Sequence, residues 1–114
     1  MLRALERVLA HAFQIEKAVD GLEVLERLAA RDDVDVLVTD WVMPYGGLEL
    51  VRRVRSEYSD VAVVVISGLN RIHQEAFLKQ IGCVVLYKPF LVEDLSAAVE
   101  QALELRRRRG ILEP

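Results

Sequence analysis

Asp35-Val-Leu-Val-Thr-Asp-Trp-Val-Met-Pro44 is the stretch whose reading decides the fold. Val36 to Thr39 have strand propensity and run straight into an acid, and Pro44, which lacks an amide donor, ends regular pairing just beyond. A strand therefore carries Asp40 to its carboxyl end. In an open parallel sheet, ligands bind in the crevice outside those ends. The plainer role for such an aspartate is to cap the turn that follows, and this stretch alone leaves both roles open.

Two further apolar runs lie downstream. Val61 to Ile66 is six consecutive apolar residues, as expected of a strand covered on both faces, and Ser67-Gly68 closes it in register with Asp40. Cys83 to Tyr87 is the next, closed by Lys88-Pro89-Phe90. Between and around the runs the apolar period changes to that of amphipathic helices. Asp20 with Glu23 is a capping signature for a helix through Val24, Leu25, Leu28 and Ala29 to about Ala30. Gly46-Gly47 turns into a helix carrying Leu50, Val51 and Val54. A third spans about Glu75 to Ile81, with Ile72, Ala76, Phe77 and Ile81 inward and Gly82 as its stop. The last starts near Val92 with Leu95, Ala98, Val99, Ala102 and Leu103 inward. Upstream, Leu2 to Ala12 forms an apolar stripe for a first helix, and Phe13 to Val19 alternates as a short marginal strand.

Strands alternating with helices at this spacing predict an α/β fold, a doubly wound parallel sheet with helices on both faces. A chain of 114 residues has room for one such core. The domain is expected over 1–108, with 109–114 as a disordered tail. A net charge of -3 argues against nucleic acid or an anionic membrane as partner of the domain. The apolar runs are too short to cross a bilayer. Cys83 is the sole cysteine, so no internal disulfide forms and a cytoplasmic setting fits.

Asp40, Ser67 and Lys88 thus end three successive strands. A carboxylate is a nucleophile toward phosphorus, while a hydroxyl and an ammonium bind phosphoryl oxygens and offset their charge. The bland assignments for other reactive types are surface positions for His11 and His73, an inert core position for Cys83, and a solvated helix end for Arg106 to Arg109. Trp41 suits gating and partial burial about equally.

Asp40-Trp41-Val42-Met43-Pro44 followed by Gly47-Leu48-Glu49-Leu50, then Ser67-Gly68, then Lys88-Pro89-Phe90, resembles the receiver domain of two-component response regulators, the CheY-like, flavodoxin-like fold. The resemblance covers Met1 to about Arg108. It implies Asp40 as phosphoacceptor, Ser67 as the hydroxyl that follows the phosphoryl group and Lys88 as its cationic partner. It also implies the main-chain carbonyl of Val42, with Asp40, as ligands of Mg2+, and a sensor histidine kinase or phosphotransfer protein as phosphodonor. Such a chain is a phosphorelay signalling domain, not an enzyme in the ordinary sense.

Three departures qualify the likeness. The family begins with an apolar strand ending in the acidic pair that holds most of the metal, and Met1 falls after it, at the family's first helix. The Pro44 to Gly47 loop is one residue shorter than usual. The family's aromatic three positions before the lysine is Val85 here, while Tyr87 directly precedes Lys88. A central strand of about five residues is worth roughly 5 to 10 kcal/mol of apolar burial, so a homodimer or exchanged strand is expected to complete the sheet. The alternative function is a degenerate receiver that dimerises or docks independently of phosphate.

Overall fold

A computed structural model describes residues 7, 13–14, 16–68 and 72–112. Among these, three parallel strands form one sheet in the order β1-β2-β3: β1 (Val36–Asp40), β2 (Ala62–Ser67) and β3 (Val84–Tyr87). Four helices connect and follow them: α1 (Gly21–Ala30), α2 (Gly47–Glu57), α3 (Glu75–Gln80) and α4 (Val92–Leu112).

The residue pattern explains why β2 is central. Every residue of Ala62–Ser67 is buried, because both sheet faces are covered. Alternation sends Val63 and Val65 into one apolar cluster, and Ala62, Val64 and Ile66 into the other. The first cluster takes Val24 and Leu28 of α1, Leu50, Val51 and Val54 of α2, and Leu78 of α3. The second takes Leu95, Ala98, Val99 and Ala102 of α4. This is the doubly wound arrangement that the sequence predicts.

The start of α1 follows its capping signature. The Asp20 carboxylate accepts from the Glu23 amide at 2.8 Å, and Glu23 in turn accepts from the Val19 amide at 3.0 Å. That backbone bond, with the Arg27 guanidinium, holds the Glu23 carboxyl below its ordinary range.

Four expectations need correction. The described residues of Phe13 to Val19 are irregular, not a strand. Phe13 packs into the α4 cluster and Ala18 into the opposite one, so the segment passes from one sheet face to the other. α4 continues to Leu112, past the Arg108 at which the domain was expected to end. Arg107 and Arg108 bond back to Glu104 one turn earlier. On α3 the buried side chain is Leu78, while Ala76 is exposed and Phe77 lies under the Arg52 guanidinium at 5.2 Å. Finally, Asp40 is in register with Ile66, and Ser67 lies one residue further, opposite Tyr87. Of the predicted first helix only Arg7 is described, and His11 lies outside the described residues.

Candidate functional site

The carboxyl edge of the sheet is where the polar strand ends gather. The Asp35 carbonyl accepts from the Ala62 amide (2.9 Å), and at the other end the Trp41 amide donates to the Ile66 carbonyl (2.7 Å). Those two bonds pin β1 against β2 so that Asp40 ends the ladder. On the other side of β2, the Lys88 amide donates to the Ser67 carbonyl at 2.8 Å. Lys88 Nζ then lies 3.4 Å from Asp40 Oδ1, with both side chains partly open to solvent.

The stem of Lys88 reaches past Gly68, where an added Cβ would stand 3.8 Å from Lys88 Cδ. A side chain larger than methyl at position 68 would crowd that path. Asp40 and Lys88 are thus brought together as the sequence predicts. Ser67 shares their edge but is offset by one pleat and only 2% exposed. Trp41 packs partly buried against the α1–α3 cluster. Cys83 is buried and His73 exposed, as expected.

The loop after Asp40 is where sequence reasoning missed most. Tyr45 has φ 56°, the left-handed region, and is the sole non-glycine among the described residues to do so. It is followed by Gly47 at φ 68°. The short loop has to reverse within these residues, and the Gly46 amide closes it onto the Met43 carbonyl at 3.0 Å. The Gly21 amide at the start of α1 donates to the Pro44 carbonyl at 2.9 Å, so α1 holds the loop from outside. Val42 and Tyr45 side chains are left largely exposed beside the acid. Relieving the left-handed strain by Tyr45→Gly is expected to stabilise the fold by about 0.5 to 1 kcal/mol, net of the extra unfolded-state entropy of glycine. The measurement is a higher urea midpoint at unchanged slope.

Toward Mg2+ the described residues offer the Asp40 carboxylate, with the Val42 carbonyl as the implied second donor. Among the described residues no three acids, histidines or cysteines gather around one point. Mg2+ requires near-octahedral oxygen ligation. This donor set does not by itself make a site for it, although receiver domains generally bind the ion beside their acceptor.

The described residues define a class by fold, an α/β domain whose parallel sheet presents an acid and a lysine at its carboxyl edge. Within that class the family model for the response regulator receiver domain matches residues 1–100, and the chain belongs to that family. It is 43% identical over 101 residues to a chemotaxis protein CheY homolog of Campylobacter jejuni, covering 85% of this chain and 78% of that protein. It is 35% identical over 95 residues to the response regulator MprA of Mycobacterium leprae, covering 82% of this chain. The match spans 41% of MprA's length. In fold it is similar to a response regulator receiver domain protein of Clostridium thermocellum, at TM-score 0.81 and 23% identity, over 98% of this chain and 90% of that one. The domain is therefore a signalling module of two-component response regulators, a family in which a phosphoacceptor role is typical. No helix among the described residues is long and apolar enough to cross a membrane.

Proposed function

We propose that Asp40 accepts a phosphoryl group from a sensor histidine kinase or phosphotransfer protein. A carboxylate oxygen of Asp40 attacks phosphorus, the bond from phosphorus to the donor imidazole breaks, and the imidazole leaves with its electron pair and takes up a proton. Lys88 offsets the added charge, and Ser67 supplies a hydroxyl toward the phosphoryl oxygens once they are in place. The observation that carries this reading is the 3.4 Å pair of Asp40 and Lys88 at the carboxyl edge. Membership of the family favours it over a phosphate-independent docking module.

Incubation with acetyl phosphate and Mg2+ is expected to add the mass of one phosphoryl group to the intact chain, and Asp40→Asn to abolish the addition. An unchanged mass for both chains would overturn the assignment. The setting of such a relay is the cytoplasm, and neither nucleic acid nor membrane enters the reading.

A homodimer is part of the proposal. The ladder bonds from Asp35 and Trp41 to β2 set the alternation of β1, which leaves the amides and carbonyls of Val36, Val38 and Asp40 directed at the far edge. That edge has no further strand among the described residues. A second copy is a ready partner for it. Val38→Pro removes an amide that β2 does not use, so it is expected to convert a dimer to monomer in sedimentation at micromolar concentration while keeping a cooperative melt. A wild-type monomer would refute the pairing.

A further inference from the structure

The chain from Phe13 to Asp20 skirts the far edge of β1. Phe13 joins the apolar cluster that holds Val36 and Val38 of β1, and Ala18 joins the one that holds Leu37, on the other face of the sheet. α1, which follows directly, is tied to both ends of β1: residues 31–35 lead into Val36, and the Gly21 amide meets the Pro44 carbonyl just beyond Asp40. A stretch from 13 to 18 reaches at most about 18 Å. It therefore changes faces at the β1 edge that carries no further strand among the described residues. It does so without pairing, since its described residues are irregular and no backbone bond joins them to Val36, Val38 or Asp40. Charge holds its middle instead. The Glu16 carboxylate pairs with Arg27 Nη1 at 2.8 Å and with Arg31 Nη1. Arg27 also holds Glu23 at 2.8 Å, and Arg31 also holds Asp33 at 2.8 Å. Glu16 thus completes a row of alternating charges whose other members belong to α1 and its exit. Both arginines keep an acid when Glu16 is removed, so its loss frees the segment and spares the helix.

We propose that residues 13–20 form a strap over the pairing edge of β1, with Glu16 as its latch. Admission of a second copy to that edge rests on the homodimer reading given above, while the strap and latch do not. The two ends of the strap are anchored by contacts other than the latch, Phe13 in the α4 cluster and Asp20 at the cap of α1. Only the middle is held by Glu16, so breaking its two pairs lets the middle bow away from Val36 and Val38. The side chains of Glu16, Arg27 and Arg31 are 40%, 42% and 41% exposed. Ion pairs this open to water are weak and are screened by salt, so the latch opens easily and responds to ionic strength. The strap shields the outward amides and carbonyls of β1 but gives them no partner. A pairing strand supplies the ladder bonds that the strap does not make, and so displaces it.

The test is amide hydrogen exchange at Val36 and Val38 in the full chain, at a dilution where sedimentation shows single copies, for wild type, Glu16→Ala and Glu26→Ala. Glu26 is an exposed acid of α1 outside the row of charges, so its variant removes the same charge and leaves the latch in place. Glu16→Ala is expected to speed exchange at both valines by about fivefold, the worth of two exposed ion pairs. Glu26→Ala is expected to change neither rate. Sodium chloride at about 0.5 M is expected to bring wild type to the Glu16→Ala rate and to leave that variant where it was. Equal rates in wild type and Glu16→Ala, or the same acceleration from Glu26→Ala, overturns the proposal. Sedimentation at rising concentration reads dimerisation separately, and Glu16→Ala is expected to pair at a several-fold lower concentration than wild type. Faster exchange in a variant that stays a single copy throughout refutes the homodimer reading alone; pairing at one concentration in both chains, with exchange unchanged, refutes the latch alone.

Discussion

Gly21→Ala is expected to destabilise the domain by about 3 kcal/mol or more, with the melting temperature falling by about 12 °C or more. Helix propensity alone predicts the opposite sign, since alanine is the better helix former by roughly 0.5 to 1 kcal/mol. The geometry overrides it. A Cβ at position 21 would stand 1.7 Å from the Tyr45 carbonyl oxygen, 2.5 Å from its carbon and 3.3 Å from the Gly46 nitrogen. All three are backbone atoms, so no side chain can rotate away. α1 and the loop after Asp40 would have to part, and the Gly21 to Pro44 bond at 2.9 Å would go with them. Because that loop begins at Asp40, the proposed acceptor, its displacement is also expected to slow phosphoryl uptake by about tenfold or more. Thermal melting and intact-mass labelling read the two effects separately. A variant as stable as wild type would mean that α1 does not press on the loop.

Where a residue's surroundings are set by its own run, the sequence was a sufficient guide. Val61 to Ile66 is apolar at every position because β2 is covered on both faces, and the acid and lysine that end the runs on either side of β2 meet because parallel strands share one edge. The capping of α1 by Asp20 is equally local. What escaped depends on contacts between distant segments. Phe13 to Val19 alternates like a strand, but alternation does not say whether a ladder partner is within reach, and Phe13 and Ala18 end in different clusters. α3 has six residues, too few for periodicity to phase its inner face, so Leu78 was missed. Gly21 looks like any first residue of a helix, and only the approach of Tyr45 reveals why nothing larger stands there. The one-residue offset of Ser67 from Asp40 follows from the Asp35 to Ala62 ladder bond, which no property of either run encodes.

Leu95→Ala is expected to cost about 2 to 5 kcal/mol, a large part of the stability of a domain of this size. Of the four described helices α4 is the one that covers the second sheet face, meeting Ala62, Val64 and Ile66 of β2 and Val84 of β3, with Phe13 and Phe90 packed against the same cluster. Its inward residues Ala98 and Ala102 are small, so the helix lies close to the sheet and most of the burial falls on Leu95 and Val99. Leu95 is fully buried at the first turn, directly after the connection from Lys88, where its amide bonds back to the Leu91 carbonyl. A truncated side chain there leaves a void that backbone fixed at both ends cannot close. Asp40→Asn provides the contrast, since it breaks a half-exposed ion pair worth about 0 to 1 kcal/mol. Urea titrations of the two variants should therefore separate fold from site. Leu95→Ala lowers the midpoint strongly yet leaves the residual folded fraction able to accept phosphate, whereas Asp40→Asn leaves the midpoint nearly in place and accepts none. A Leu95→Ala midpoint within experimental error of wild type would mean that α4 is not seated on the sheet, and the 3.4 Å approach of Lys88 to Asp40, which hangs from the strand beneath that helix, would lose its support.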